Sequence, residues 1–347
     1  ELKNKFPELY NQIIESLKNI SYTELNQDNL YDLLQDNHGI DNPYHQEGSF
    51  LTHLNLVKEQ AELLYPDDEI LHIACFLHDV GKPFCKVYDS QSGKTYFRGH
   101  ESYSVFIAYD IIKYLINNFN FEISRFDLLR ILSLIQRHAD PYSLGIKKLV
   151  SRYTRAEYND LIKIHRCDSL GRTPAKDPII HDIDLFKESF DFSHSFDNKI
   201  IYMIGIPNSG KSTYIKELTK FNDFKVISRD DIIMNLSDTD DYNKAFDEVN
   251  QDLVDSEYNK LYNLYMQNKE NFIIDKTNTT YKTRNKNIKE FNSHKIGICF
   301  CIGLSEILKR NNLRTNKKLS ISVINKFMTH FQFPYSNEFE TIYYVFE

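Results

Sequence analysis

With 347 residues, 41% of them hydrophobic, the chain has room for two domains, each with its own core. It contains no apolar run of about 18 residues, so no membrane-spanning helix is expected. A net charge of −7 excludes a uniformly basic nucleic-acid binder; residues 1–196 sum to −8 and residues 197–347 to +1, so any nucleic-acid contact is local, at a groove or a strand end.

The first half reads as helical. Phe6, Leu9, Ile13, Ile14, Leu17 and Ile20 recur at spacings of three and four, a single apolar stripe. Pro66-Asp67-Asp68-Glu69 opens another helix, with Pro in the first turn and acids at its positive end. That helix runs through residues 70–77 and stops near Gly81 and Pro83. Further helical patterns cover residues 102–117, 127–136 and 156–165, and no strand ladder is expected before about residue 195. The five cysteines, Cys75, Cys85, Cys167, Cys299 and Cys301, form no CxxC pair. They predict free thiols in a reducing, cytoplasmic compartment and no zinc ribbon. Residues 1–6 lack the apolar core of a signal peptide.

Phe76-Leu77-His78-Asp79-Val80-Gly81-Lys82-Pro83 is the first stretch that carries chemistry. An adjacent His and Asp at a helix end can both face one cation, and their N and O donors suit Mn²⁺, Fe²⁺, Co²⁺, Ni²⁺ or Zn²⁺. His53, His78, Asp79 and Asp168 make one candidate set; His100 and His138, with Asp79 bridging, make a second. Two metals would clamp a phosphate and acidify a water, and Lys82 is placed to pair with phosphate oxygens. His45 reads either as a phosphate-contacting or acid group or as a surface residue. His72, His165, His181, His194, His294 and His330 read as structural. The pattern H…HD…H…H…D over residues 45–170 resembles the HD phosphohydrolase superfamily. Gly99-His100-Glu101 looks like its G-H-E segment, and Asp168 with Gly171-Arg172 like its terminal aspartate. The resemblance implies an all-helical, metal-dependent phosphomonoesterase or phosphodiesterase.

Residues 191–198 read as a linker between a domain at 1–190 and a second at 199–347. Beyond it, β-rich runs at 200–204, 225–228, 271–275, 295–304 and 341–346 alternate with helices, which predicts a doubly wound parallel sheet. Gly205-Ile206-Pro207-Asn208-Ser209-Gly210-Lys211-Ser212 fits G-x-x-x-x-G-K-[ST] between a strand and a helix. Its glycines permit the tight turn. The N–H groups through Asn208, Ser209, Gly210 and Thr213 face phosphate oxygens, and the helix start adds a positive field. Lys211 would reach the β- and γ-phosphates of ATP or another nucleoside triphosphate, and Ser212 would hold Mg²⁺. Asp230, or else Asp231, follows the second strand as a candidate general base. Asp275 follows the third in a Walker B pattern. Arg310 and Arg314, four apart on one helix face, would close on the triphosphate as a lid.

These residues together resemble the kinase domain of phage-type polynucleotide 5′-hydroxyl kinases over residues 197–347, including Phe331-Gln332-Phe333-Pro334 at the end of the lid region. The resemblance implies Asp230 as base and Arg310 and Arg314 as lid arginines. That family has S-R-D-x-x-R, whose last arginine binds the phosphate beside the acceptor hydroxyl. Here the position is Ile233, with Arg229 or Lys276 as replacements. An HD region followed by this kinase resembles the bifunctional HD-domain polynucleotide kinases. That order implies phosphorylation of 5′-OH ends and removal of 2′-, 3′- or 2′,3′-cyclic phosphate from RNA or DNA strand ends, with a polynucleotide ligase as functional partner. Tyr202, Tyr242 or Phe331 could stack a terminal base. Two other readings fit parts of the pattern: an HD nucleotide phosphohydrolase fused to a small-molecule kinase, and a non-catalytic nucleotide sensor.

Overall fold

The computed structural model describes residues 6–25, 27–36, 46–192, 195–287 and 292–347. Residues 1–5, His45 and His194 lie outside the described residues. The chain divides into two compact units: Glu1–Phe190 with Ile302–Ser305 and Met328–His330, and Asp191–Cys301 with Glu306–Phe327 and Phe331–Glu347.

The first unit opens with α1 (Phe6–Asn19) and α2 (Leu30–Leu34), followed by α3 (Phe50–Leu64) and α4 (Glu69–Leu77). Ile13 and Leu17 of the apolar stripe are buried. Ser49 caps α3 by accepting from Thr52 N at 3.1 Å. Asp68, rather than Pro66, sets the start of α4: its carboxylate accepts from Leu71 N at 3.2 Å. Next comes a short hairpin, β1 (Val87–Asp89) paired antiparallel with β2 (Lys94–Tyr96). Its strands are too short to leave an alternating pattern, so the expectation of no strands here is corrected. Then follow α5 (His100–Phe119), α6 (Arg125–Arg137), α7 (Asp140–Ser143), α8 (Ile146–Arg152) and α9 (Arg155–Leu170). A capping box between Thr154 and Glu157 starts α9.

One network locks three of these helices. Arg130 of α6 donates to both Asp68 oxygens, at 2.6 and 2.7 Å, and to both Asp160 oxygens, at 2.7 and 2.6 Å. Lys163 of α9 adds a 3.1 Å bond to Asp68. The Arg130 and Lys163 cations outweigh partial burial and hold the Asp68 carboxyl well below the usual range.

The second unit runs β3 (Asn198–Ile204), α10 (Lys211–Phe221), β4 (Lys225–Ser228), α11 (Arg229–Asn235), α12 (Tyr242–Glu248), α13 (Gln251–Gln267) and β5 (Phe272–Asp275). It continues through α14 (Tyr281–Asn287), β6 (Ser293–Cys301), α15 (Leu304–Asn312), α16 (Ile321–His330) and β7 (Thr341–Phe346). The strands form one sheet in the order β4-β5-β3-β6-β7, all pairs parallel. Ile201 and Met203 of β3 pack with Ile273, Ile298 and Phe300 against Ile215 of α10. After β3 the chain builds toward β4 and β5, then crosses to β6 and β7 on the other side. Beside β3 the winding therefore reverses, which is where such sheets open a crevice at the strands' C-terminal ends. The fold is thus a helical region followed by a parallel five-stranded sheet flanked by helices. Among the described residues no helix is long and apolar enough to cross a membrane.

Candidate metal centre and phosphate-binding loop

Six side chains from five helix segments converge in the first unit. His53 comes from the first half of α3, and His78 caps the C-terminus of α4 with Asp79 next in line. His100 opens α5, His138 caps α6, and Asp168 lies near the end of α9. Gly81 makes the approach possible: a Cβ there would meet Ser104 N at 2.6 Å and His100 O at 2.8 Å. The turn after Asp79 can therefore press onto the first turn of α5.

The donors fall into two overlapping sets around Asp79. Its Oδ2 lies 3.1 Å from His78 Nε2 and 3.4 Å from His53 Nε2, which is itself 3.3 Å from Asp168 Oδ1. Its Oδ1 lies 3.0 Å from His100 Nε2 and 3.7 Å from His138 Nε2. Ligand atoms of His53, His78 and Asp79, of His78, His138 and Asp168, and of Asp79, His100 and His138 each lie within 4.8 Å of one another. The structure brings the two expected sets together.

Tautomers are fixed from behind. Nδ1 of His78, His100 and His138 each lies 2.7 Å from a backbone carbonyl, of Cys75, Phe97 and Ile135 respectively. A carbonyl only accepts, so each Nδ1 donates and each Nε2 turns a lone pair inward. His53 Nδ1 instead lies 2.9 Å from the Glu47 carboxylate. Glu47 also accepts from Thr173 N at 3.1 Å. It is a functional candidate that sequence reasoning missed, because its contacts to His53 and Thr173 are tertiary and follow no spacing.

The electrostatics favour a cation. His78 Nε2 and Asp79 Oδ1 are buried without a hydrogen-bond partner. Burial opposes ionisation of Asp79, but His78, Lys82 and His100 hold its carboxyl well below the usual range. Arg172 and His53 do the same for Asp168. Despite burial, Asp168, Asp79 and Glu47 push His53 up to about 10. Burial and then His78 push His138 down to about 3. The set fits divalent transition metals in donor chemistry and convergence. Lys82 is not free for phosphate in this arrangement: its Nζ lies 2.5 Å from Asp79 Oδ2. Arg172 pairs with Asp168.

The second site follows β3. Asn208 at φ 69° and Gly210 at φ 100° take the left-handed turns of the loop. A Cβ on Gly205 would meet Ser209 Oγ at 2.6 Å. Thus only one of the two motif glycines answers the expected need for unusual angles; the other is required by close approach. Ser212 and Thr213 are exposed in the first turn of α10. Lys211 is buried, donating to the Gly205 and Ile206 carbonyls at 2.9 and 2.8 Å, and burial pushes it down to about 8. Arg310 reaches the loop, donating to Asn208 O at 3.3 Å and held by Glu306 at 2.9 Å.

Asp230 lies in the first turn of α11, directly after β4. Its Oδ1 accepts from Tyr242 OH at 2.6 Å and its Oδ2 from Lys317 Nζ at 3.1 Å. Asp275 ends β5; burial and the neighbouring Asp230 and Asp231 raise it, against Lys211. This surplus of negative charge suits Mg²⁺.

Several expectations need correction. Arg314 does not share a helix face with Arg310, because α15 ends at Asn312. The Asn311 side chain bonds Leu319 twice, donating to its carbonyl at 2.9 Å and accepting from its N–H at 3.0 Å, and so turns the chain away. Tyr202 and Phe331 are 0% and 1% exposed and cannot stack a base; Tyr242 is half-buried at the site. Phe331-Gln332-Phe333-Pro334 instead covers Arg284, which donates to the Gln332 and Phe333 carbonyls at 2.8 and 3.2 Å and pairs with Glu338 at 2.7 Å. Ile233 is fully buried. Arg229 is tied to Asp255 and to Gln251, the latter at 2.7 Å, and Lys276 sits over the Tyr258 ring at 3.4 Å.

Family comparison agrees with the two geometries. The model of the HD domain matches residues 50–173, and that of an AAA domain of P-loop kinase-like type matches residues 200–334. No curated protein matches the chain. The two regions in this order support a fused nucleotide- or nucleic-acid-modifying enzyme.

Proposed function

We propose that this chain heals broken RNA ends, phosphorylating 5′-OH termini in its second unit and clearing 2′-, 3′- or 2′,3′-cyclic phosphate in its first. The observation that carries the reading is Asp230. A half-exposed carboxylate stands beside the phosphate loop, with both oxygens held by hydrogen bonds from Tyr242 and Lys317. Lys211 would exchange the loop carbonyls for the β- and γ-phosphates of a bound nucleotide, and Ser212 with Asp275 would hold Mg²⁺. Asp230 accepts the proton of the attacking hydroxyl. Arg310 balances charge on the transferring group.

In the first unit His53, His78, Asp79, His100, His138 and Asp168 would hold divalent ions. When bound, those ions polarise the phosphate and acidify water. Lys82 shifts from Asp79 to a phosphate oxygen, and Glu47 and the Cys75, Phe97 and Ile135 carbonyls keep the imidazoles aimed. A polynucleotide ligase is the partner such ends would serve, in a reducing cytoplasm where the five buried thiols stay free.

The buried Ile233 favours one second reading, a kinase of free nucleosides. Incubation with labelled ATP and either a 5′-OH oligoribonucleotide or a nucleoside separates the two. Label on the oligonucleotide supports end healing; label on nucleosides alone overturns it.

A further inference from the structure

We infer that Lys317 is the cation that recognises the phosphate next to the acceptor hydroxyl. The inference rests on the strand-end kinase reading and assigns it a specificity residue. A kinase that selects strand ends over free nucleosides needs a positive group one sugar away from its base. The helix α11 offers none, since Ile233 is fully buried, and Arg229 is engaged by Asp255 and Gln251. Lys276 faces Tyr258 of α13.

Lys317 is differently placed. It lies in the segment between α15 and α16, with φ 60°, a left-handed turn unusual for a side-chain-bearing residue. The segment is closed at its base by the paired Asn311–Leu319 bonds. Asn311 is in turn joined to the phosphate loop, where Asn208 Nδ2 lies 3.3 Å from its Oδ1. The ammonium is thereby held over the crevice, 3.1 Å from Asp230 Oδ2 and 3.8 Å from the centre of the Tyr242 ring. It is one-third exposed, so an incoming anion can reach it. A flexible four-carbon stem lets it leave Asp230 for a neighbouring phosphate while the carboxylate takes the hydroxyl proton. Tyr242 supports both groups, its hydroxyl on Asp230 and its ring beneath Lys317.

The test compares kcat/KM for a nucleoside 3′-monophosphate with that for the same nucleoside. Wild type should prefer the phosphorylated acceptor by about 10- to 100-fold, the worth of a charged hydrogen bond. Lys317→Ala should bring the ratio close to one, with the loss mainly in KM, and Lys317→Arg should restore part of it. Arg229→Ala should keep the ratio. A misaligned Asp230 would slow both acceptors equally and leave the ratio alone. If Lys317→Ala turns over neither acceptor, calorimetric binding of the two compounds gives the same ratio. A preserved ratio in Lys317→Ala, or none in wild type, overturns the assignment while 5′-OH oligonucleotide phosphorylation stands. A wild type that labels only nucleosides overturns the end-healing reading as well.

Discussion

Asp79 faces two imidazole sets with its two oxygens, so its side chain couples both halves of the candidate metal centre. Asp79→Ala is expected to abolish phosphate removal and leave kinase activity unchanged, read by assaying both reactions on one preparation. Glu47→Gln removes the carboxylate behind His53 and should weaken metal binding by about 10- to 100-fold, measured by calorimetry. His53 is pushed up to about 10, and neighbouring carboxylates raise His78 and His100 in the same direction, so protons compete with a cation for these nitrogens. A cation must displace them, and metal affinity should therefore rise with pH across the neutral range. The six candidate metal donors were legible because His-Asp adjacency and helical spacing persist in sequence. Glu47 was not, since only the folded chain brings it to His53. Lys317 was also hidden: nothing in its neighbours signals a residue aimed at Asp230 in α11.

At the scale of elements, α4 delivers His78 and Asp79 at one end and is anchored at the other by Asp68. Arg130→Ala breaks four hydrogen bonds joining α4, α6 and α9. We expect a loss of about 2–3 kcal/mol, read as an earlier denaturation midpoint of the helical unit. Because the folded Asp68 carboxyl is depressed, its contribution is present above the ordinary aspartate range and fades as pH falls below it. The helices and parallel strands were readable from periodicity and the phosphate-loop motif. Their ends were less so. Asp68 caps α4, whose first residue Glu69 lies three past Pro66, because a side-chain oxygen can satisfy the first free N–H groups. α15 stops before Arg314 because Asn311 bonds the backbone of Leu319. Local side-chain bonds of this kind leave no period to detect.

For the molecule as a whole, an acidic helical unit and a near-neutral sheet unit each carry a complete candidate site. The net charge of −7 argues against a protein that tracks a duplex through its phosphates. Independent sites should respond independently to mutation. The most direct test uses an RNA with a 5′-OH and a 2′,3′-cyclic phosphate, with ATP and Mn²⁺, followed by analysis of both ends. Wild type should yield a 5′-phosphate and a 3′ end freed of its cyclic phosphate. Asp230→Ala should change only the 3′ end, and His78→Ala only the 5′ end. A wild type that leaves both ends untouched while phosphorylating free nucleosides would contradict the account.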